Sequence, residues 1–297
     1  MEFKHIPVLL VETLEYLDPQ SGENFIDCTL GGGGHSLKIL EKLGTKGKLL
    51  GIDQDSKAIE VAKDNLKKFS KNLVIVKDNF ENLKNIVEQN FANRPVNGIL
   101  LDLGVSLAQI KDKEYGLSFE SEEPLDMRLG DFDTSAGEII NTWSEDELAE
   151  IFFRFGEEKW SKQIAQEIVK VRRDEKIKTP KDLSQVIKRI YKWKMGSQTW
   201  RIHPSTRVFQ ALRITVNHEL ENLESVLKQA VEILAPGGRL VVISFHSLED
   251  RIVKHYFKKN KNINILTKRP IVPTEAEIEN NPASRSAKLR AIKKYEL

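Results

Sequence analysis

The feature that most constrains this chain is a run of four glycines between an apolar strand and a helix, followed by a second strand that ends in an acid. The strand is predicted over Asn24–Thr29, the glycines are Gly31–Gly34, the helix covers Gly34–Leu43, and the second strand is Lys48–Asp53. Glycine lets the backbone approach a ligand without a clash at Cβ. The arrangement is typical of nucleotide-binding α/β folds, in which the carboxylate of Asp53 can accept hydrogen bonds from ribose hydroxyls.

The loop also distinguishes between two kinds of nucleotide. A dinucleotide fingerprint has a third glycine for close helix packing, but Ser36 stands three residues after Gly33, and Leu37 three after Gly34. Asp27 precedes the loop, where a carboxylate suits a ligand with an amino group and disfavours a pyrophosphate. S-adenosyl-L-methionine (SAM) carries an ammonium, a sulfonium and a ribose, so we expect SAM rather than NAD. A tight glycine turn with no ligand is the structural alternative.

The composition, 40% hydrophobic and 30% charged over 297 residues, is typical of a soluble globular protein with room for a substantial insert. Apolar runs such as Leu240–Phe245 are too short to cross a bilayer, and we expect no signal peptide at residues 6–11. The single cysteine, Cys28, excludes an internal disulfide, and the six histidines form no metal-ligand pattern. We therefore expect a cytoplasmic protein without a membrane partner or a metal; its oligomeric state is not predicted.

Charge is distributed unevenly along the chain. Residues 112–150 contain 13 acids and two bases, whereas residues 160–213 contain 14 Lys or Arg and four acids. Residues 252–297 add 11 Lys or Arg against four Glu. Two basic regions beside an α/β core indicate a polyanionic partner, most simply a nucleic acid. The alternative is that these lysines only solubilise helices.

Strand and helix patterns alternate through the first part of the chain. Apolar strands of this kind predict a mostly parallel, Rossmann-like sheet covered by helices on both faces. The alternation stops after Ser106, and amphipathic helical segments follow. We predict a SAM-binding domain made of residues 1–106 and 217–297, and an all-helical insert over residues 107–216 that recognises RNA or another substrate.

The second part of the core is predicted from turn and cap signals. We expect a long helix over Asn217–Leu234, a turn at residues 236–238, a strand over Gly238–Phe245 and a helix whose N-cap is Ser247. Residues 263–267 and 289–293 are expected to form a closing antiparallel pair. The polar loop between them, residues 270–286, is long enough to be either mobile or engaged in binding.

Polar residues follow five predicted strands. Ligands of open α/β sheets bind at the carboxyl ends of the strands, and the residues there are Asp27, Asp53, Asp78–Phe80, Asp102 and His246. Phe80 can cover an adenine ring or pack in the core.

Asp102 and His246 are the candidate catalytic residues. Asp102 stands where amino-group methyltransferases carry an acid or amide, but the Pro-Pro-aromatic sequence that usually follows is absent. It can hydrogen-bond an exocyclic amine or stabilise the fold. His246 can accept a proton near neutral pH or serve a structural role.

Other residues have both functional and structural interpretations. Arg128 can pair with Asp126 or Asp131 to fix an acidic loop. Three aromatic residues lie among lysines and can stack on unpaired bases or pack within the insert; they are Tyr191, Trp193 and Trp200.

Taken together, these segments resemble the ribosomal small-subunit methyltransferase H family (RsmH, also called MraW). Eight blocks fit it in order, two of them at the chain ends; they are His5-x-Pro7-Val8-Leu9-Leu10, Gly33–Ser36, Gly98–Ser106, Pro124–Arg128, His203–Arg207, Phe209–Ile214, Ile243–Arg251 and the tail motifs Asn281-Pro282 and Arg285–Arg290. Leu107 and Tyr115 depart from the usual residues, which affects only local acceptor-side contacts.

The resemblance implies SAM-dependent methylation of the exocyclic N4 of a cytidine in the decoding region of 16S rRNA, within a partly assembled small ribosomal subunit. It places the cofactor on seven positions, which are Gly33, Gly34, His35, Asp53, Phe80, Asp102 and Gln109. Gln109 comes from the resemblance alone. The alternatives are a non-catalytic small-subunit assembly factor that binds SAM or a nucleotide, an NAD-dependent oxidoreductase and a DNA amino-methyltransferase.

Overall fold

The computed structural model describes residues 6–91, 94–106, 109–110, 112–130, 132–196, 200 and 202–296. The chain divides into two compact units. The first runs to Gly104 and resumes at Leu220, and the second comprises Val105–Glu219. The predicted insert, residues 107–216, lies within the second unit.

The first unit is built on a seven-stranded sheet in the order β3-β2-β1-β4-β5-β7-β6. Strands β1 to β5 are parallel, while β7 runs antiparallel to both β5 and β6. The mostly parallel sheet and the closing antiparallel pair are thus confirmed. The strands are β1 (Asn24–Asp27), β2 (Lys48–Asp53), β3 (Leu73–Lys77), β4 (Val96–Asp102), β5 (Leu234–Ser244), β6 (Ile263–Ile265) and β7 (Lys288–Lys294).

Helices connect these strands, and side-chain caps begin several of them. Asp55 accepts the backbone N–H of Lys57 at 2.9 Å, so it is the N-cap of α3. The helices of this unit are α1 (Leu10–Leu17), α2 (Gly34–Leu43), α3 (Ser56–Leu66), α4 (Leu83–Asn90), α10 (Glu219–Ile233, whose first residue belongs to the second unit), α11 (Ser247–Lys259) and α12 (Glu275–Asn280).

Alternate residues of each central strand enter two separate cores. Ile26, Leu50 and Ile99 pack on one face with residues of α4 and α10. Phe25 and Leu49 pack on the other face with residues of α1, α2 and α3. This alternation explains why the strands read as continuous apolar runs in the sequence.

The described residues of the second unit form helices and connecting loops, with no strand among them. It contains α5 (Ala136–Thr142), α6 (Glu145–Arg154), α7 (Ser161–Asp174), α8 (Pro180–Met195) and α9 (Thr206–Asn217). Capping boxes begin α5, α6 and α8, at Ser135, Ser144 and Thr179. One apolar cluster, which includes Phe152, Ile164 and Leu212, joins these helices.

Three local predictions were wrong. The helix predicted from Asn217 begins at Glu219, because His218 adopts a left-handed conformation (φ 50°) that ends α9. The predicted turn at residues 236–238 is a bulge inside β5, since Val96 pairs with Leu234 while Gly98 pairs with Arg239. The N-cap of α11 is His246 rather than Ser247, since the His246 ring accepts a backbone N–H.

Replacing Gly98 by Ala tests the packing of the sheet. A methyl group at this position would overlap the ring of Phe25, which is 1% exposed. We expect Gly98→Ala to lower the free energy of unfolding by about 1–3 kcal/mol, the usual cost of overpacking a core. Urea denaturation measures it, with Gly32→Ala as the control because its added carbon makes only an ordinary contact, 3.6 Å from Val61. Equal unfolding midpoints for the two variants would contradict this packing.

Candidate functional site

The glycine turn after β1 requires glycine for both conformation and space. Gly31 and Gly33 have φ of 50° and 80°, in the left-handed region that disfavours other residues. A methyl group on Gly33 would lie 2.9 Å from Leu66 Cδ1, and one on Gly34 would lie 2.5 Å from Pro7 Cγ. The turn therefore exposes backbone at the start of α2, where the N–H groups favour a polar ligand.

Asp53 links the glycine turn to the end of β2. Its Oδ2 accepts the N–H of Gly31 at 2.7 Å, and its Oδ1 accepts the N–H of Asp55 at 2.9 Å. Burial raises the pKa of this carboxyl, while the two backbone donors oppose that rise. A carboxylate oxygen can accept more than one hydrogen bond, so acceptor capacity remains for a ligand hydroxyl.

Asp27 differs from its predicted role of facing a cationic ligand. It is only 1% exposed, and its own loop encloses it. Ser36 Oγ donates to Oδ2 at 2.6 Å, and the Thr29 N–H donates to Oδ1 at 3.1 Å. Burial raises its pKa to about 6. Asp27 therefore stabilises the glycine turn through hydrogen bonds from within the protein.

Asp102 ends β4 with one buried acceptor atom that lacks a partner. Its backbone N–H donates to Thr29 Oγ1 at 2.7 Å, which ties the ends of β4 and β1 together. The described residues supply no hydrogen-bond donor to Oδ1, although that atom is shielded from solvent. Burial, and then the nearby charges of Asp27 and Glu249, raises the pKa of this carboxyl well above its ordinary value. An unsatisfied buried acceptor is costly, so it indicates a ligand donor.

His35 lies behind the glycine turn. The residue is 5% exposed, with Nε2 3.0 Å from the Val8 carbonyl and Nδ1 3.4 Å from Asp102 Oδ2. The structure thus brings together Gly33, Gly34, His35, Asp53 and Asp102 at the carboxyl ends of the central strands.

Phe80 follows β3, the neighbour of β2, in a single turn at Phe80–Asn82. Asn79 caps that turn by accepting the N–H of Glu81 at 2.9 Å, and its amide donates to Gln54 Oε1 at 3.1 Å. The Phe80 ring is half-buried and contacts the apolar cluster on one face of the sheet. Its exposed part leaves a surface that can cover a base.

His246 caps a helix. Its Nδ1 accepts the Glu249 N–H at 3.4 Å, and Glu249 Oε2 accepts the N–H groups of Phe245 and His246 at 2.8 and 3.2 Å. The sequence interpretation missed Glu249, although an acid three residues after a cap is a capping-box signal. It also missed Thr29, whose position directly after a strand was the available signal.

The remaining predicted residues belong to the second unit. Gln109 exchanges hydrogen bonds with Ser106, with Ser106 N–H to Gln109 Oε1 at 2.9 Å and Gln109 N–H to Ser106 Oγ at 3.1 Å. Arg128 forms a bidentate pair with Asp126, at 2.7 and 2.8 Å. The other candidate partner, Asp131, lies outside the described residues, as does Leu107.

Two of the three aromatic candidates are packed inside the second unit. The Tyr191 hydroxyl donates to the buried carboxylate of Glu158 at 2.7 Å, and its ring contacts Trp160 and Trp200 edge-on. Trp193, in contrast, is 71% exposed, with Lys194 Nζ 4.0 Å from its ring centroid. Trp193 alone of these three presents a broad ring surface for stacking.

A mostly parallel sheet of this strand order, closed by the antiparallel β7 and with a glycine turn after β1 and an acid ending β2, fits the class of SAM-dependent methyltransferases. The chain belongs to the MraW methylase family, whose family model matches residues 2–295. The family resemblance seen in the motifs is therefore confirmed, and SAM is the cofactor. Among the described residues, no helix combines the length and apolar character needed to cross a lipid bilayer.

Curated relatives match almost end to end. The ribosomal RNA small subunit methyltransferase H of Dehalococcoides mccartyi is 44% identical over 313 residues, which cover 99% of this chain and 87% of the relative. The enzyme of the same name from Heliobacterium mobile is 43% identical and covers 99% and 100% of the two chains. That from Thermomicrobium roseum is 45% identical, covering 98% and 93%.

The residues at the strand ends fit SAM. Gly33 and Gly34 leave no room for side chains, Asp53 retains acceptor capacity, and Asp102 Oδ1 is a buried acceptor to which the described residues supply no donor. Carboxylates at these strand ends also complement the positive charges of the sulfonium and ammonium groups.

The raised pKa of Asp27 predicts a pH dependence of stability. Because its pKa rises from 3.8 in the unfolded chain to about 6, its contribution is fully present below pH 4 and is lost as the pH rises through 6. We expect the free energy of unfolding of Asp27→Asn, relative to the parent, to increase by up to about 3 kcal/mol between pH 4 and pH 7.5.

Urea denaturation at several pH values measures this difference. Asp64→Asn, which alters an exposed carboxylate of α3, provides the control and should run parallel to the parent protein. Parallel curves for Asp27→Asn as well would show that Asp27 titrates like an exposed acid.

Proposed function

We propose that this protein transfers a methyl group from SAM to the exocyclic N4 of a cytidine in the decoding region of 16S rRNA, and that its substrate is a partly assembled small ribosomal subunit in the cytoplasm. The observation that carries the proposal is the buried, unpartnered Oδ1 of Asp102 at the end of β4. The names of the relatives, ribosomal RNA small subunit methyltransferase H, support the choice of RNA.

The chemistry makes particular demands on the protein. When bound, SAM supplies an electrophilic methyl group on a sulfonium. Cytosine N4 is a weak nucleophile because its lone pair is delocalised into the ring, so the amine must be held in line with the methyl group and lose a proton. In this proposal Asp102 Oδ1 accepts a hydrogen bond from N4, which orients the amine and gives its proton an acceptor.

The other strand-end residues hold the cofactor in this proposal. The glycine turn and Asp53 bind the nucleoside part, with Asp53 accepting from the ribose hydroxyls, and Phe80 covers the adenine ring. Gln109 is proposed as a further cofactor-binding residue on the family resemblance alone. His246 is the second candidate proton acceptor, although its Nδ1 already caps α11.

The helical insert, residues 107–216, is proposed to recognise RNA. Helix α8 carries the exposed Trp193 between Lys192 and Lys194, which are exposed as well. An aromatic ring flanked by cations suits an unpaired base and its phosphates. A base in helical RNA must also be unstacked before its amine can react, which costs a few kcal/mol.

The Asp102 carboxylate is tested by Asp102→Asn. We expect the single-turnover rate of methyl transfer to fall by about 10²–10⁴-fold, the usual contribution of a proton acceptor. The assay uses labelled SAM and small subunits, and nucleoside mass spectrometry identifies the product; calorimetry determines how much of the loss is in SAM binding. Asp64→Asn is the matched control. An unchanged rate at saturating SAM and RNA would remove Asp102 from the chemistry, and no label from the unmodified protein would favour an assembly factor.

The exposed ring is tested by Trp193→Ala. Losing one base stack should weaken RNA binding by about 1–3 kcal/mol, or about 5- to 150-fold. Phe153→Ala is the control, since Phe153 is also exposed, at 67%, but lies on the acidic helix α6. Fluorescence anisotropy with a decoding-region RNA measures the affinities. Equal losses of RNA affinity in the two variants would show that any exposed aromatic ring contributes to RNA binding.

The basic flank is tested by the double variant Lys192→Gln/Lys194→Gln. Each phosphate contact contributes about 0.7–0.9 to the slope of log affinity against log salt concentration. We expect the slope to become shallower by about 1.4–1.8 in this variant. An unchanged slope would show that these lysines do not neutralise phosphates.

A further inference from the structure

The position of the His35 side chain indicates a role beyond its place in the glycine turn. Backbone atoms of the turn can bind a cofactor whatever side chain stands at position 35. The imidazole nevertheless points inward, where it is 5% exposed and bridges the Val8 carbonyl and the Asp102 carboxyl.

The Val8 carbonyl determines which nitrogen of His35 carries the proton. A carbonyl oxygen only accepts hydrogen bonds, so at 3.0 Å the His35 Nε2 must carry a hydrogen and donate it. In the neutral ring, Nδ1 then carries no proton and can act only as an acceptor. That acceptor lies 3.4 Å from Asp102 Oδ2.

The N-terminal segment that supplies this carbonyl is itself held in place. Glu277, on α12, accepts the Leu9 N–H at 2.7 Å, and the Asn281 side chain donates to the Ile6 carbonyl at 3.0 Å. The polar stretch at residues 270–286, predicted to be either mobile or engaged in binding, thus anchors the residues on both sides of Val8. His35 is therefore oriented from both of its ring nitrogens.

The surroundings of Asp102 favour sharing a proton over holding a full negative charge. The two acids that face it, Asp27 and Glu249, both disfavour its ionisation, and burial acts in the same direction. His35 Nδ1 is the neighbouring group that can take up a proton from Oδ2. Asp102 Oδ1, the other oxygen of the carboxyl, receives no hydrogen bond from the described residues.

We propose that His35 is a positioning residue that acts through Asp102, and that the His35–Asp102 pair shares the proton lost by the substrate amine. The inference rests on the proposed function. The new N–C bond forms as the methyl carbon–sulfur bond breaks, and the sulfur keeps that electron pair. One amino proton passes to the Asp102 carboxylate and is shared with His35 Nδ1, while Nε2–H stays on the Val8 carbonyl. Solvent removes the proton after the product leaves.

The pH profile separates proton sharing from a purely structural role. A pair of sites binds its first proton more tightly than either site alone, so the single-turnover rate of the parent should rise with pH with a midpoint set by the pair. His35→Gln keeps an N–H donor for Val8 but cannot take up a proton. We expect its midpoint to move to lower pH and its plateau rate to fall by about 10- to 100-fold, less than loss of the proton acceptor itself. A uniform fall with an unmoved midpoint would overturn the proposal.

Nuclear magnetic resonance of protein labelled with ¹⁵N-histidine provides a readout that needs no substrate. We expect the His35 signals to show hydrogen on Nε2 and a bare Nδ1 at high pH, and their titration to move to lower pH in Asp102→Asn. A proton on Nδ1, or a titration indifferent to Asp102, would overturn the proposal. His255→Gln, on the exposed face of α11, is the control and should leave both the rate and the His35 signals unchanged.

The two measurements separate this inference from the proposed function. If the unmodified protein makes no N4-methylcytidine, the proposed function fails, whereas the spectra still decide whether His35 and Asp102 share a proton. If it makes that product while His35→Gln keeps the parental midpoint, the function stands and the role of His35 is refuted.

Discussion

The candidate site in the first unit is built from carboxyl groups that are buried at the ends of neighbouring parallel strands. Asp53, Asp27 and Asp102 end β2, β1 and β4, which are adjacent in the sheet. Burial raises the pKa of all three, so each needs a compensating donor or a shared proton. Backbone N–H groups supply the donors to Asp53, and Ser36 and Thr29 supply them to Asp27. Of these three carboxyls, only Asp102 has an oxygen to which the described residues supply no donor, and this is where we propose that the chemistry occurs.

The strand order makes this arrangement possible. Because β1 lies between β2 and β4, one short turn after β1 reaches both neighbouring acids. Gly31 contacts Asp53 on one side, while Thr29 contacts the backbone of Asp102 on the other. A cationic ligand at this edge favours the ionised form of each carboxyl, so binding and proton release are thermodynamically linked.

The sequence predicted those parts of the fold that rest on local signals. Strand Lys48–Asp53 was predicted at its observed bounds, because it is a mostly apolar run that follows a glycine and ends in an acid. The error at Asn217 arose because His218 ends α9 in a left-handed conformation, and the Asn217 side chain at that end bonds to the distant backbone of Met127 and Leu129. Asp27 was identified as important but assigned the wrong direction, because the Ser36 hydroxyl that encloses it became visible only in three dimensions.

The sequence predicted which strand ends form the site, but not the hydrogen bonds that connect its residues. Position relative to a glycine turn identifies Asp53 and Asp102, whereas no spacing rule connects His35 to Val8 or Leu9 to Glu277, which is 268 residues away. The contact between Leu9 and Glu277 forms because β7 pairs antiparallel with β5 and the preceding residues 270–286 reach the N-terminal segment. The tautomer of the His35 imidazole thus depends on the Val8 carbonyl, and the segment that contains Val8 is held by residues near the other end of the chain. This dependence is visible only in the folded structure.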